Sequence, residues 1–238
     1  MSVLGNSVSS CAHTALDFLF PHRCLLCETE TSDGLVCNNC LDYLPIVRSP
    51  ICHHCGRPVQ NGNACRRCQQ MNVLDHGRAW ILFIPPSDAL IHHFKYRKKT
   101  KLAHLLGRAM ATLIQADHVL KKADVLMPVP LFWWKKLRRG YNQAELLAQI
   151  ISQETSIPIQ NVLTRVKNTK TQTRLRESER CDNVKNAFTV QTNDIKDKKI
   201  LLIDDVLTTG ATMNECARVL KDAGACEVYS CVAAITPE

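Results

Sequence analysis

The chain has 238 residues, of which 45% are hydrophobic and 22% charged, and a formal net charge of +8. Such a chain is long and apolar enough for one large or two modest folded domains, which excludes a disordered polyelectrolyte. Residues 1–20 lack a basic leader and are interrupted by Ser9, Ser10, His13 and Asp17, which argues against a secretion signal or membrane insertion.

The next segment is dominated by cysteine. Cys24-x-x-Cys27 is followed after nine residues by Cys37-x-x-Cys40, and the same spacing recurs in Cys52-x-x-Cys55 and Cys65-x-x-Cys68. Each Cys-x-x-Cys turn, a knuckle, offers two thiolates, and two knuckles close a tetrahedral zinc site with no open position. Two structural Zn²⁺ ions are therefore expected, in a reducing, cytoplasmic setting where thiols are not consumed by disulfides. Metal binding supplies folding free energy that a ribbon this small cannot obtain from apolar burial. His22, His53 and His54 lie close enough to act as ligands, but four thiolates per ion leave them as bystanders. We expect an N-terminal helix and double zinc ribbon over residues 1–76 and a second domain over 77–238. Charge divides at the same place: residues 1–76 hold five Lys or Arg against six Asp or Glu, and residues 77–238 twenty-five against sixteen. The basic excess suits phosphate-rich partners.

Residues 78–84 read as a strand ended by Pro85-Pro86, after which Ser87-Asp88 caps a helix with Leu90, Ile91 and Phe94 on its apolar side. The run Lys95, Arg97, Lys98, Lys99 and Lys101 is either a solvated helix end or an anion-binding surface. A second helix covers 102–114, and a strand over 124–130 is stopped by proline. Residues 131–143 form a loop that mixes aromatics with cations before the helix 144–152. Cations beside aromatic faces suit pyrophosphate, a nucleobase or single-stranded nucleic acid. Trp133 and Trp134, each taken singly, are expected in the core or against the zinc module. Residues 161–163 are strand-like, 164–180 a mobile polar loop with Arg165, Lys167, Lys170, Arg174, Arg176 and Arg180, and 181–187 helical. Residues 188–190 then begin the return to the sheet.

Ile200, Leu201, Leu202 and Ile203 form a short apolar run of the kind a strand covered on both faces requires, and Asp204 and Asp205 follow at once. Then come Thr208, Thr209, Gly210, Ala211 and Thr212, a helix over 213–223 and a last strand over 227–235. In an open parallel sheet, ligands sit beyond the carboxyl ends of the strands, and the unpaired amides of the next helix can face an anion. The threonine hydroxyls add donors, Gly210 allows close backbone approach, and the carboxylates accept sugar hydroxyls. The pattern points to a sugar phosphate; its plainer alternative is a solvated turn and helix cap.

The 199–212 segment resembles the 5-phosphoribosyl 1-pyrophosphate (PRPP) motif of type I phosphoribosyltransferases. Pro128-Val129-Pro130, the stretch from Arg139-Gly140-Tyr141-Asn142-Gln143 to Ala148, and Thr169-x-x-Gln172-x-x-Leu175 with Arg180, Asn183 and Phe188 extend the likeness. Together with the acid-threonine motif and the double ribbon, they resemble the ComF family. The resemblance implies an α/β fold: a type I phosphoribosyltransferase-like parallel sheet flanked by helices, with a small N-terminal double zinc-ribbon domain. It implies a competence factor for DNA uptake and natural transformation. Asp204 and Asp205 would then hold the ribose hydroxyls, and Thr208, Thr209, Gly210, Ala211 and Thr212 the 5-phosphate. Arg139 and Lys95 would face the pyrophosphate, with Mg²⁺ bridging its oxygens. Single-stranded DNA would meet Arg97, Lys98, Lys99, Arg138, Arg174, Arg176 and Arg180, and the ribbon would meet competence or recombination proteins. The alternative is an active Mg²⁺-dependent phosphoribosyltransferase of nucleotide salvage, although no segment specifies an acceptor base or amine.

Overall fold

The computed structural model describes residues 22–31, 35–60, 64–70, 73–167, 184–192 and 194–237. The helix expected before Cys24, and Arg174, Arg176 and Arg180, lie outside the described residues. The chain divides into two compact units, Met1–Leu44 and Pro45–Glu238.

The first unit holds the first two knuckles and the helix α1 (Asn38–Asp42), whose preceding Cys37 sulfur accepts the Cys40 amide. The Cys24 sulfur accepts the amides of Leu26 and Cys37, both at 3.4 Å. Such bonds turn donors toward the thiolates and orient them for a metal.

The second unit runs α2 (Arg66–Gln70), β1 (His76–Leu82), α3 (Ser87–Tyr96), α4 (Leu102–Ala116), β2 (Val125–Pro128), α5 (Trp133–Arg139), α6 (Gln143–Thr155), β3 (Leu163–Arg165), β4 (Phe188–Val190), β5 (Lys199–Leu207), α7 (Ala211–Asp222) and β6 (Glu227–Ile235). It also contains the second pair of knuckles, so the compact units divide between residues 44 and 45, whereas the sequence places its boundary after residue 76. The main sheet has four parallel strands in the order β1-β6-β5-β2. Ile200, Leu201, Leu202 and Ile203 of the inner strand β5 are fully buried. Each such side chain is worth roughly 2 kcal/mol of burial. α6 packs on β2 and β5, α4 on β1 and β6, and α7 on β6. α4 and α6 approach closely at Gly107, where a Cβ would stand 2.7 Å from that of Ile150.

Four expectations change. β5 does not end before the acids: Asp204 pairs in register with Val232, and Val206 with Ala234, so the ladder to β6 carries both carboxylates to the sheet's edge. Ladder hydrogen bonds here override the low strand preference of aspartate. Ser87 does not cap α3; its hydroxyl donates back to the carbonyls of Leu82 and Ile84 and ties the helix to the end of β1. The 131–143 loop contains α5, which Gly140 terminates at φ 87°, its amide bonding Lys136 O at 2.8 Å. Residues 188–190 form β4, which pairs antiparallel with β3 in a separate two-stranded sheet rather than rejoining the main one.

Both cysteine clusters fit zinc. Within each set the four sulfurs lie within 4.8 Å of one another, with Cys27–Cys37 at 3.6 Å and Cys55–Cys65 at 3.7 Å. A tetrahedral ion with Zn–S near ~2.3 Å requires sulfur separations of about 3.8 Å. Cys52, Cys55 and Cys65 are buried in the same core as Val125, Ile200 and Val232. Among the described residues no helix is long and apolar enough to cross a membrane. Metal analysis of the purified chain is expected to find about two zinc ions, held by four thiolates each. Cys27→Ser and Cys65→Ser should each lose one of them. Because the second cluster sits in the core of the sheet-bearing unit, only Cys65→Ser is expected to lower that unit's melting midpoint, by roughly 10 °C.

Candidate functional site

The carboxyl ends of all four strands of the main sheet open into one cleft of about 1100 Å³, reached by the residues that follow β1, β2, β5 and β6. This is the edge at which open parallel sheets bind ligands. Lys95, Arg139, Asp204, Asp205 and the whole 208–212 loop line it. The structure thus brings together the sugar-phosphate residues expected from sequence.

Asp204 and Asp205 are successive strand residues and differ in surroundings. Asp205 is 5% exposed, and its Oδ1 lies 2.9 Å from Lys95 Nζ; its amide donates to Asp204 Oδ1 at 2.8 Å. Burial, and then the charge of Asp205, push the Asp204 carboxyl up to about 7, against the pull of Lys95. Burial would lower the Lys95 ammonium, but Asp205 and Asp204 more than offset it and hold its pKa above the usual lysine value. The two acids and the lysine behave as one partly buried cluster.

The stretch from Arg139 to Gln143 fixes that lysine. Tyr141 OH donates to the Phe94 carbonyl, and Gln143 Nε2 to the Lys95 carbonyl at 3.5 Å, so the end of α3 is held by the start of α6. Asn142 caps α6 by accepting the Ala144 amide at 3.1 Å, and its Nδ2 donates to Val129 O at the end of β2. Arg139 donates to Gln143 Oε1 at 2.6 Å and stacks over the Tyr96 ring at 5.2 Å.

The threonine loop is held from the zinc ribbon. The Thr208 carbonyl accepts Arg57 Nη2 at 2.6 Å, Arg67 Nη1 at 3.0 Å and Thr236 Oγ1 at 3.3 Å. Arg57 is 1% exposed and also donates to the carbonyls of Thr236 and Pro237. It follows the Cys55-Gly56 knuckle, and Arg67 lies inside the Cys65–Cys68 knuckle. Gly56, at φ 77°, presses against β1, where a Cβ would meet Arg78 Cα at 2.7 Å. Gly210, at φ 87°, turns the chain into α7 and accepts the Asn214 amide at 2.8 Å. Thr209 is buried, and its hydroxyl accepts the Ala211 amide at 3.4 Å.

Sequence reading missed several of these groups. Arg57 and Arg67 carry no local signal, because their partners lie well over a hundred residues away. Arg165, expected in a mobile loop, is a β3 residue that lines the cleft and stacks over the Phe188 ring at 5.3 Å. Burial lowers its pKa, with Cys216 and Asp204 opposing that fall. Arg138 is exposed at the rim, whereas Arg97, Lys98 and Lys99 are exposed and not part of the lining. Arg174, Arg176 and Arg180 lie outside the described residues.

Residues 15–69 match the family described as a double zinc ribbon domain, and residues 96–238 that described as a phosphoribosyl transferase domain. The chain is 34% identical to competence protein F of Haemophilus influenzae, over 88% of this chain and 95% of that protein. It is 30% identical to the DNA utilization protein YhgH of Escherichia coli, over 87% and 94%. It is 28% identical to competence protein ComFC of Bacillus subtilis, over 84% and 89%.

Replacing Arg57 by Leu removes the buried guanidinium that bonds the carbonyls of Thr208, Thr236 and Pro237, and chemical denaturation should show a loss of about 3 kcal/mol. For Asp204 the sign is opposite. Its raised pKa means that between about pH 4 and 7 the folded state binds a proton the unfolded state lacks, so its carboxylate destabilises the fold increasingly as pH rises through that window. Asp204→Asn keeps an oxygen for the Asp205 amide and removes the charge. Denaturation curves should show this variant more stable than the parent at pH 8, on the order of 2 kcal/mol, with the gain shrinking toward pH 5.

Proposed function

The chain belongs to the competence protein F family, and from that premise we propose that its cleft binds PRPP or a closely similar phosphorylated sugar in the service of DNA uptake and handling. The observation that carries this reading is the shared cleft, in which a paired acid cluster stands beside a threonine loop leading into the amino end of α7. The 208–212 loop would take the 5-phosphate, through backbone amides at the start of α7 and the threonine hydroxyls. Asp204 and Asp205 would accept the ribose hydroxyls, while Lys95 and Arg139 would face the pyrophosphate.

Mg²⁺ fits this donor set in a particular way. Two carboxylates, one already paired with Lys95 at 2.9 Å, are too few for a protein cage but suit an ion that arrives on its ligand's pyrophosphate. Bound there, the ion would neutralise phosphate charge. Single-stranded DNA is the proposed second ligand, drawn to Arg97, Lys98, Lys99 and Arg138 and to Arg174, Arg176 and Arg180. The ribbon would meet competence or recombination proteins. Catalysis of phosphoribosyl transfer is a second reading, favoured by Arg165, which supplies a cleft wall from β3 that could face an acceptor.

Thermal unfolding with PRPP and Mg²⁺ tests the first ligand. At a hundredfold excess over the dissociation constant, the stabilisation should be about 2.7 kcal/mol, a shift of several degrees, and Asp205→Asn should abolish it. No shift with the parent protein overturns the reading. Binding of an oligonucleotide should weaken steeply with salt, with a log–log slope near −0.7 per phosphate contacted, and no binding at low ionic strength removes DNA from the account. Pyrophosphate release over a panel of bases and amines decides for or against the enzyme reading.

A further inference from the structure

α5 exposes what a folded chain ordinarily hides. Trp133 is 64% exposed, Trp134 51% and Leu137 68%, and Tyr96, whose ring is covered by Arg139, is 49% exposed. Both tryptophans were expected from the sequence to be packed away, and a solvated indole forfeits a large burial gain. The rings form a chain: Phe132 to Trp133 and Trp133 to Trp134 each have centroids 5.8 Å apart, the second pair nearly perpendicular. His92 stands 4.9 Å from Tyr96.

The charge on α5 itself and on the residues that follow Tyr96 has one sign. α5 reads Trp-Trp-Lys-Lys-Leu-Arg-Arg with no acid, and the exposed Arg97, Lys98 and Lys99 follow Tyr96 directly. Lys136 is paired with Glu145, while Arg138 and Arg139 reach the cleft wall. An occupant must therefore be a polyanion that also presents flat apolar faces. A duplex satisfies the first requirement and hides the second, because its bases are stacked on each other. A single strand satisfies both: phosphates meet the cations, and every base has a π-face that stacks on an indole whatever the sequence.

We propose that Trp133 and Trp134 form a base-stacking platform for single-stranded DNA, with the cations of α5 and of residues 97–99 bracketing the strand's phosphates. The inference rests on the DNA reading given above and adds to it a place and a mode of contact. α5 is about 10 Å long, at 1.5 Å per residue, so the platform holds roughly two bases.

The test uses the full zinc-loaded chain and two fluorescent probes, an oligothymidylate of fifteen nucleotides and an abasic phosphodiester chain of equal length. The variants are the double substitutions Trp133→Ala/Trp134→Ala and Trp133→Phe/Trp134→Phe; both positions are exposed, and the circular dichroism spectra should match the parent's. The alanine pair is expected to lower oligothymidylate affinity at least tenfold, the phenylalanine pair to retain most of it, and all three proteins to bind the abasic chain alike. If the parent binds oligothymidylate and the alanine pair binds it equally well, the platform is wrong and the DNA reading survives. Equal loss on the abasic chain also overturns the platform, since stacking needs bases. A parent that binds neither probe overturns both.

Discussion

Two successive carboxylates that follow four fully buried strand residues cannot both be charged at little cost unless a cation stands beside them, and Lys95 is that cation. Much of the second unit can be understood as the means of putting it there. β5 is paired on both sides, so its register delivers Asp204 and Asp205 to the sheet's edge with no freedom to withdraw. Lys95 comes from α3, whose start is tied to β1 through Ser87 and whose end is tied to α6 through Tyr141 and Gln143. The Arg-Gly-Tyr-Asn-Gln stretch, which reads in sequence as ligand chemistry, acts here largely as a brace. Only its arginine and its amide residues line the cleft.

The two halves of the zinc ribbon have different relations to the rest of the chain. The first knuckle pair belongs to its own compact unit. The second lies in the core of the sheet-bearing unit and reaches the threonine loop through Arg57 and Arg67. A guanidinium has several donors in a rigid fork, so Arg57 can hold carbonyls of both Thr208 and Thr236 and fasten the ends of neighbouring β5 and β6 together. Zinc held by this knuckle pair would thereby help fix the geometry of a loop that contains no metal ligand. In this chain a metal ribbon supports one side of the cleft, and the β3–β4 pair supplies Arg165 to another.

The exposed aromatic and basic surface follows from a different balance. α5 is short, ends at Gly140, and carries charges on most of its turns. Burying its indoles would desolvate the lysines and arginines beside them, a penalty comparable to the apolar gain. The tryptophans therefore remain at the surface.

What the sequence determined by itself is whatever adjacent residues decide. Thiolate pairs at fixed spacing specify two metal sites, an unbroken apolar run specifies a strand covered on both faces, and the acids and threonines after it mark the end of that strand where the cleft opens. The tertiary structure decided what depends on residues brought together from far apart. It extended β5 through its acids because β6 offered ladder partners, turned β4 away from the main sheet toward β3, and placed Lys95 on Asp205. It also buried Arg57 beneath Thr208 and left Trp133 and Trp134 in water. Backbone pattern is a local property of the chain, but burial and charge pairing depend on which surfaces meet, and periodicity along one segment carries no information about the segment that will cover it.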